Sequence, residues 1–237
     1  MIKAVLFDLD GTLISIDIKR FFKRYFGDIA AHAAKKGFDP ALFLKALQAG
    51  TEAMLKNDGT QTNEKVYWDC FQRVFGNAGD EEQALFMNYY LNEYQDCLKE
   101  SCGKIDGAAA VVHGLREKGI LLALATNPLF PIEAVSKRIA FSGLSPDDFD
   151  CVTTYDWCRF SKPNPNYYLE VSKKLSVPPE QCLMVGNDAA DDMPAESIGM
   201  QTFLVTDCLE HTTTEDIQNH PHGTMKDLLD FIQSESA

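Results

Sequence analysis

The chain has 237 residues, 45% hydrophobic and 24% charged, with a formal net charge of −13. This suits a soluble globular protein of one large domain, or a domain with an insertion, and no apolar run reaches the length of a membrane span. The acidic balance disfavours a nucleic-acid backbone as partner, since that binding needs clustered Lys and Arg, and any anion site must supply its own positive charge.

The first thirteen residues organise the rest. Ile2 to Phe7 is an apolar run of strand formers, which reads as a buried parallel strand. It ends in Asp8-Leu9-Asp10-Gly11-Thr12, the loop leaving the carboxyl end of that strand. Open α/β sheets bind ligands at that end. Asp-x-Asp-Gly also opens calcium loops, but those follow a helix, and here a strand precedes.

Residues 14–100 read as an all-helical insertion with no strand. Phe21, Phe22, Tyr25, Phe26, Ile29 and Ala33 recur at three and four, with Lys19, Arg20, Lys23 and Arg24 on a solvated face. Gly37 ends this helix and Pro40 opens the next. Val66 to Phe75 forms a third, closed by Gly76. A fourth runs from about Asp80 to Lys99. The aromatic stripes are expected mainly to pack together as a core.

From Ile105 onward, strands alternate with helices. Helix 108–118 leads to strand 120–125, then helix 131–141 leads to a short strand at 150–154. Helix 166–175 leads to strand 182–185, and helix 193–198 to strand 201–206. Residues 207–223 read as loop and 225–233 as a closing helix. This order predicts an α/β fold, a Rossmann-like parallel sheet with helices on both faces. The helical insertion would divide the chain into a core of 1–13 plus 101–237 and a second unit of 14–100.

Polar groups stand at the carboxyl ends of these strands: Asp8 and Asp10, Thr126 and Asn127, and Asp188, Asp191 and Asp192, with Lys162 on the loop after the third strand. In a parallel sheet they converge on one edge. The seven cysteines (Cys70, Cys97, Cys102, Cys151, Cys158, Cys182 and Cys208) lack Cys-x-x-Cys spacing and are odd in number, which fits a reducing cytosol. The N-terminus lacks the regions of a signal peptide, so a cytoplasmic location is expected. His220-Pro221-His222 reads as loop surface rather than a metal site.

In order along the chain, these segments resemble the four motifs of the haloacid dehalogenase-like hydrolases. Asp8-Leu9-Asp10-Gly11-Thr12 is similar to motif I, Thr126 to motif II, Lys162 in Lys-Pro-Asn-Pro to motif III, and Asp188 with Asp192 after Val185-Gly186 to the acidic motif IV. The resemblance spans essentially the whole chain, and residues 14–100 look like the family's helical cap.

It implies that Asp8 is a nucleophile and Asp10 a general acid/base, with Lys162 neutralising charge and Thr126, Asn127 and Lys162 binding phosphate. It also implies Mg²⁺, held by Asp8, Asp188 and the Asp10 carbonyl, with Asp192 supporting or sharing the site. The sequence departs from the family's common Gly-Asp start of motif IV, with Asn187 following Gly186, which leaves Asp191 and Asp192 as alternatives for the second metal-site residue.

The activity this implies is a phosphatase acting on a small phosphorylated metabolite. The alternatives are a phosphomutase of the same superfamily and a non-catalytic binding module. Asp10 speaks against a haloalkanoate dehalogenase, which protonates no alkoxide. Neither the substrate nor the oligomeric state is written in these motifs.

Overall fold

The computed structural model describes residues 1–76 and 79–234. Its main sheet has six strands, all paired in parallel, in the order β5-β4-β1-β6-β7-β8. The strands are β1 (Ala4–Phe7), β4 (Leu121–Leu124), β5 (Cys151–Val152), β6 (Cys182–Gly186), β7 (Gln201–Val205) and β8 (His222–Gly223). Leu6 of β1 stands opposite Ala123 of β4 and Met184 of β6, so β1 is central.

Strand alternation explains why both faces are covered. Val5, Phe7, Leu183 and Val185 point into one core, packed by helices α6 (Ala108–Glu117), α7 (Ile132–Ile139) and α10 (Leu228–Ser234). Ala4, Leu6, Cys182 and Met184 point the other way, against Tyr167, Tyr168, Val171 and Leu175 of α8 (Pro165–Leu175). An unbroken apolar run is therefore what a strand buried on both faces requires.

The helical segment hangs from a small stem. After Asp10 the chain turns through Gly11, whose φ of +82° lies in the left-handed region. It then forms β2 (Ile14–Ile16), which pairs antiparallel with β3 (Cys102–Lys104). Between these two strands lie α1 (Ile18–Lys35), α2 (Pro40–Leu55), α3 (Asn63–Phe75), α4 (Asp80–Asn92) and α5 (Tyr94–Ser101). Their inner faces meet in a core rich in rings, including Phe21, Tyr25, Phe43, Phe71, Phe86 and Tyr94.

Several expectations need correction. The block from residue 14 does contain a strand, β2, three residues long and too short for a period. The expected fourth helix is two, because the chain bends at Glu93, where no Gly or Pro marks the break. Residues 207–223 are not all loop: α9 (Thr214–Asn219) and β8 lie within them, and β8 extends the sheet to six strands. Residues 193–198 form a 3-10 rather than an α-helix, and the closing helix begins at Leu228. Among the described residues, no helix is long and apolar enough to cross a membrane.

Candidate active site

Each neighbour of β1 ends at the same edge, so the predicted polar groups do meet. One cleft is lined by Asp8, Asp10, Thr126, Asn127, Lys162, Asp188, Asp191 and Asp192. Asp8 follows β1 directly, and its backbone N–H donates to the Val185 carbonyl of β6 at 2.8 Å.

Lys162 is the centre of the charge arrangement. Its ammonium donates to Asp8 Oδ1 at 2.7 Å and to Asp192 Oδ1 at 2.6 Å. Lys162 is 4% exposed and Asp192 1%. Burial opposes the Lys162 charge, but the Asp192 and Asp8 carboxylates outweigh it and hold the ammonium well above the ordinary lysine range. Burial pushes the Asp192 carboxyl up to about 7, against the pull of Lys162.

Asp188 and Asp192 are tied together by the turn after β6. The Asp188 N–H donates to Asp192 Oδ2 at 3.1 Å, and the Asp192 N–H donates to the Asp188 carbonyl at 2.8 Å. Both Asp192 oxygens are thus taken by donors. Asp188 Oδ1 accepts from the N–H groups of Ala190 and Asp191 at 2.8 and 3.1 Å, and Oδ2 pairs with His211 Nδ1 at 2.6 Å. Asp191 makes no such bridge, and burial, then Asp188, raises its carboxyl. Gly186 is needed under this turn: a Cβ there would lie 2.0 Å from Asp192 Oδ2.

Asn187, where the family often has Asp, is 1% exposed. It accepts from Thr12 Oγ1 at 3.0 Å and donates to the Cys208 carbonyl at 2.7 Å. It thereby clasps the Asp8–Thr12 loop to the loop after β7.

Thr126 lies on the cleft wall, and its carbonyl accepts from Thr153 Oγ1 at 2.6 Å and Tyr167 Oη at 2.9 Å. Beside it, Asn127 Oδ1 is buried with no hydrogen-bond partner, an uncommon state for a buried polar atom. A half-turn of that amide would set its NH₂ donor in the same place.

Three contributors were not legible in the motifs. Arg138 of α7 grips Asp10 with two nitrogens: Nη2 pairs with Oδ2, and Nε donates to Oδ1 at 3.3 Å. Burial lowers this guanidinium to about 10, against the pull of Asp8. Glu210 and His211 come from the loop after β7, and their ligating atoms lie within 4.8 Å of those of Asp188.

The charge count has a chemical consequence. Asp8, Asp10, Asp188, Asp191, Asp192 and Glu210 face the cleft, against Lys162 and Arg138 alone. Six carboxylates to two cations is a donor set that suits a hard divalent cation with oxygen ligands. Magnesium fits these residues.

Fold and site together define a class: an α/β protein with an acidic cleft at the carboxyl edge of its parallel sheet. The chain belongs to the haloacid dehalogenase-like hydrolases, whose family profile matches residues 2–199.

Among curated relatives, it is 24% identical to the pyrophosphatase PpaX of Oceanobacillus iheyensis over 233 residues, covering 98% of this chain and 95% of that one. It is 27% identical to the phosphoglycolate phosphatase of Aquifex aeolicus over 204 residues, covering 85% and 84%. In fold it resembles a HAD phosphatase from Thermococcus onnurineus, with TM-score 0.58, 21% identity and 98% of each chain covered. It also resembles a β-phosphoglucomutase from Clostridium difficile, with TM-score 0.57, 20% identity and 99% and 96% covered.

Proposed function

We propose that the protein is a magnesium-dependent phosphatase that hydrolyses a small phosphorylated metabolite through an aspartyl-phosphate. The observation that carries this reading is the buried Lys162 ammonium, 2.7 Å from Asp8, in a cleft otherwise dominated by carboxylates. A carboxylate beside a fixed cation is a nucleophile that a phosphate can approach.

In this mechanism Asp8 attacks phosphorus and the ester oxygen leaves, taking a proton from Asp10. Asp10 then draws a proton from water, which attacks the aspartyl-phosphate and returns Asp8. Because Arg138 holds both Asp10 oxygens, Asp10 must turn from the guanidinium toward the leaving oxygen and take up a proton from solvent before this step. Lys162 offsets the charge of the arriving phosphate, and Thr126 with the Asn127 amide holds its oxygens. Asp8, Asp188 and the Asp10 carbonyl would hold magnesium, which when bound lowers the repulsion between phosphate and Asp8. Asp192, bound to the Lys162 ammonium, supports that site from behind, and Asp191 stays outside it.

Residues 14–100 act as the cap and residues 1–13 and 101–237 as the catalytic core. The seven cysteines, all unpaired, support a reducing cytosolic setting. The test is phosphate release from a panel of esters, with magnesium or chelator, for wild type and Asp8→Asn. Release that depends on metal and is lost in the variant, with unfolding unchanged, is the expected result. Release undiminished in Asp8→Asn sinks the assignment, and an isomerised product in place of free phosphate would point to a mutase.

A further inference from the structure

Beside the catalytic cleft lies a second cavity, of about 170 Å³, between the helices of the insertion and the loop after β4. The two cavities share Phe22, Leu129 and Phe130 as a common wall. The second is therefore placed to receive what extends from a phosphate in the first.

Its chemistry differs sharply from the cleft's. Tyr25, Phe26, Trp68, Phe86 and Tyr90 supply its surface. Phe130 meets Tyr25 edge-on at 6.0 Å and Tyr90 at 6.2 Å between ring centroids. The Tyr25 and Tyr90 hydroxyls bond each other at 2.7 Å, which leaves one O–H between them. Among its described lining residues there is no Lys, Arg or His, and the one charged side chain is the carboxylate of Glu64. Phe22, on the shared wall, is 41% exposed, an apolar ring that a bound apolar group would cover.

We propose that this chamber takes the alcohol portion of the phosphate ester. The substrate class is then a monophosphate of an aromatic or bulky apolar alcohol, with no second anionic group. The proposal rests on reading the cleft as a phosphatase site. A second phosphate or a carboxylate placed there would face Glu64 with no cation to pair it, and unpaired buried charge is costly. The chain therefore differs in substrate from relatives named for pyrophosphate and phosphoglycolate.

Matched esters test this: propyl phosphate, 3-phenylpropyl phosphate, and the propyl ester bearing a terminal carboxylate. Their leaving groups are alike, so kcat/KM compares binding of the far end. The phenyl ester should exceed the propyl ester at least tenfold, and the carboxylate ester should fall at least tenfold below it. Thr51→Trp and Met87→Trp, at two half-buried lining positions on different helices, each fill the chamber and should bring the phenyl-to-propyl ratio to within about threefold of unity.

Binding of 3-phenylpropylphosphonate, which cannot be hydrolysed, is measured in parallel by titration calorimetry. Turnover with a preference for the carboxylate ester, or a ratio unmoved in both variants, overturns the chamber and leaves the phosphatase reading standing. If no ester is turned over but both variants weaken phosphonate binding at least tenfold, the phosphatase reading fails and the chamber stands. Phosphonate that binds wild type and both filled variants equally overturns the chamber.

Discussion

Lys162→Met keeps an apolar stem of similar length and deletes the ammonium that bridges Asp8 and Asp192 at 2.7 and 2.6 Å. Asp192 is 1% exposed, so water cannot take over. Removing one partner of a buried pair costs about 3–5 kcal/mol. At about 2–4 °C per kcal/mol for a chain of this size, the melting temperature should fall by about 6–20 °C.

Protonation limits the loss and gives it a sign. Burial already holds the Asp192 carboxyl at about 7 with the ammonium present, and without it the value rises further. A carboxyl raised above its unfolded value binds its proton more tightly in the folded state, so stability is lost as pH rises through that range. The deficit of Lys162→Met should be smaller at pH 5.5 than at pH 8. Adding Asp192→Asn to Lys162→Met should restore part of the loss, because the two changes then share one interaction. Turnover should drop about 10²–10³-fold, the scale for losing one positioned electrostatic donor. Thermal unfolding by circular dichroism at both pH values, with phosphate release, makes the check. A variant as stable as wild type at pH 8 would refute the buried charge cluster.

Three further outcomes follow from the same geometry. Gly186→Ala forces a Cβ to 2.0 Å from the Asp192 carboxylate; it should lower stability by about 1–3 kcal/mol and turnover with it, as read by urea unfolding and phosphate release. Arg138→Met removes the guanidinium that positions the Asp10 carboxyl in the cleft and should cut kcat at least about tenfold with a smaller change in KM. Arg138→Lys should not rescue it, since an ammonium cannot reproduce the two-nitrogen grip, and steady-state kinetics separate these effects. Asn63, fully buried at the start of α3, donates to the Pro128 carbonyl at 3.2 Å and Ser161 Oγ at 3.3 Å. It ties the insertion to the loops carrying Asn127 and Lys162, so Asn63→Ala should cost about 1–3 kcal/mol and raise KM, measured by unfolding and by kinetics.

The strands that build the site were legible because buried parallel strands advertise themselves. Ala4–Phe7 and Cys182–Gly186 are apolar at every position, and each ends where polar residues begin. Elements that failed to show were those without a period. β2 and β8 have three and two residues, and pairing with a neighbour, not local preference, makes them strands. α9 did carry a local mark, the Thr213–Asp216 capping box, but six residues give no hydrophobic repeat. The bend at Glu93 has no breaker residue and is set by how α5 packs on α1 and α7.

By itself, the sequence determined the chemistry on offer: which strand ends carry Asp8, Asp10, Thr126, Asn127, Lys162, Asp188 and Asp192, and that a parallel sheet gathers them on one edge. Parallel strand direction suffices for that, and it follows from the alternation of strands and helices. Tertiary structure alone decided who partners whom. Arg138 reaches Asp10 across 128 positions of chain, Asn187 reaches Thr12 across 175, and Lys162 chooses Asp192 over Asp191. These are outcomes of side-chain packing between elements remote in sequence, and no periodicity records them. The aromatic chamber belongs with them: its rings read as core from their spacing, and only the way the helices meet leaves space between them.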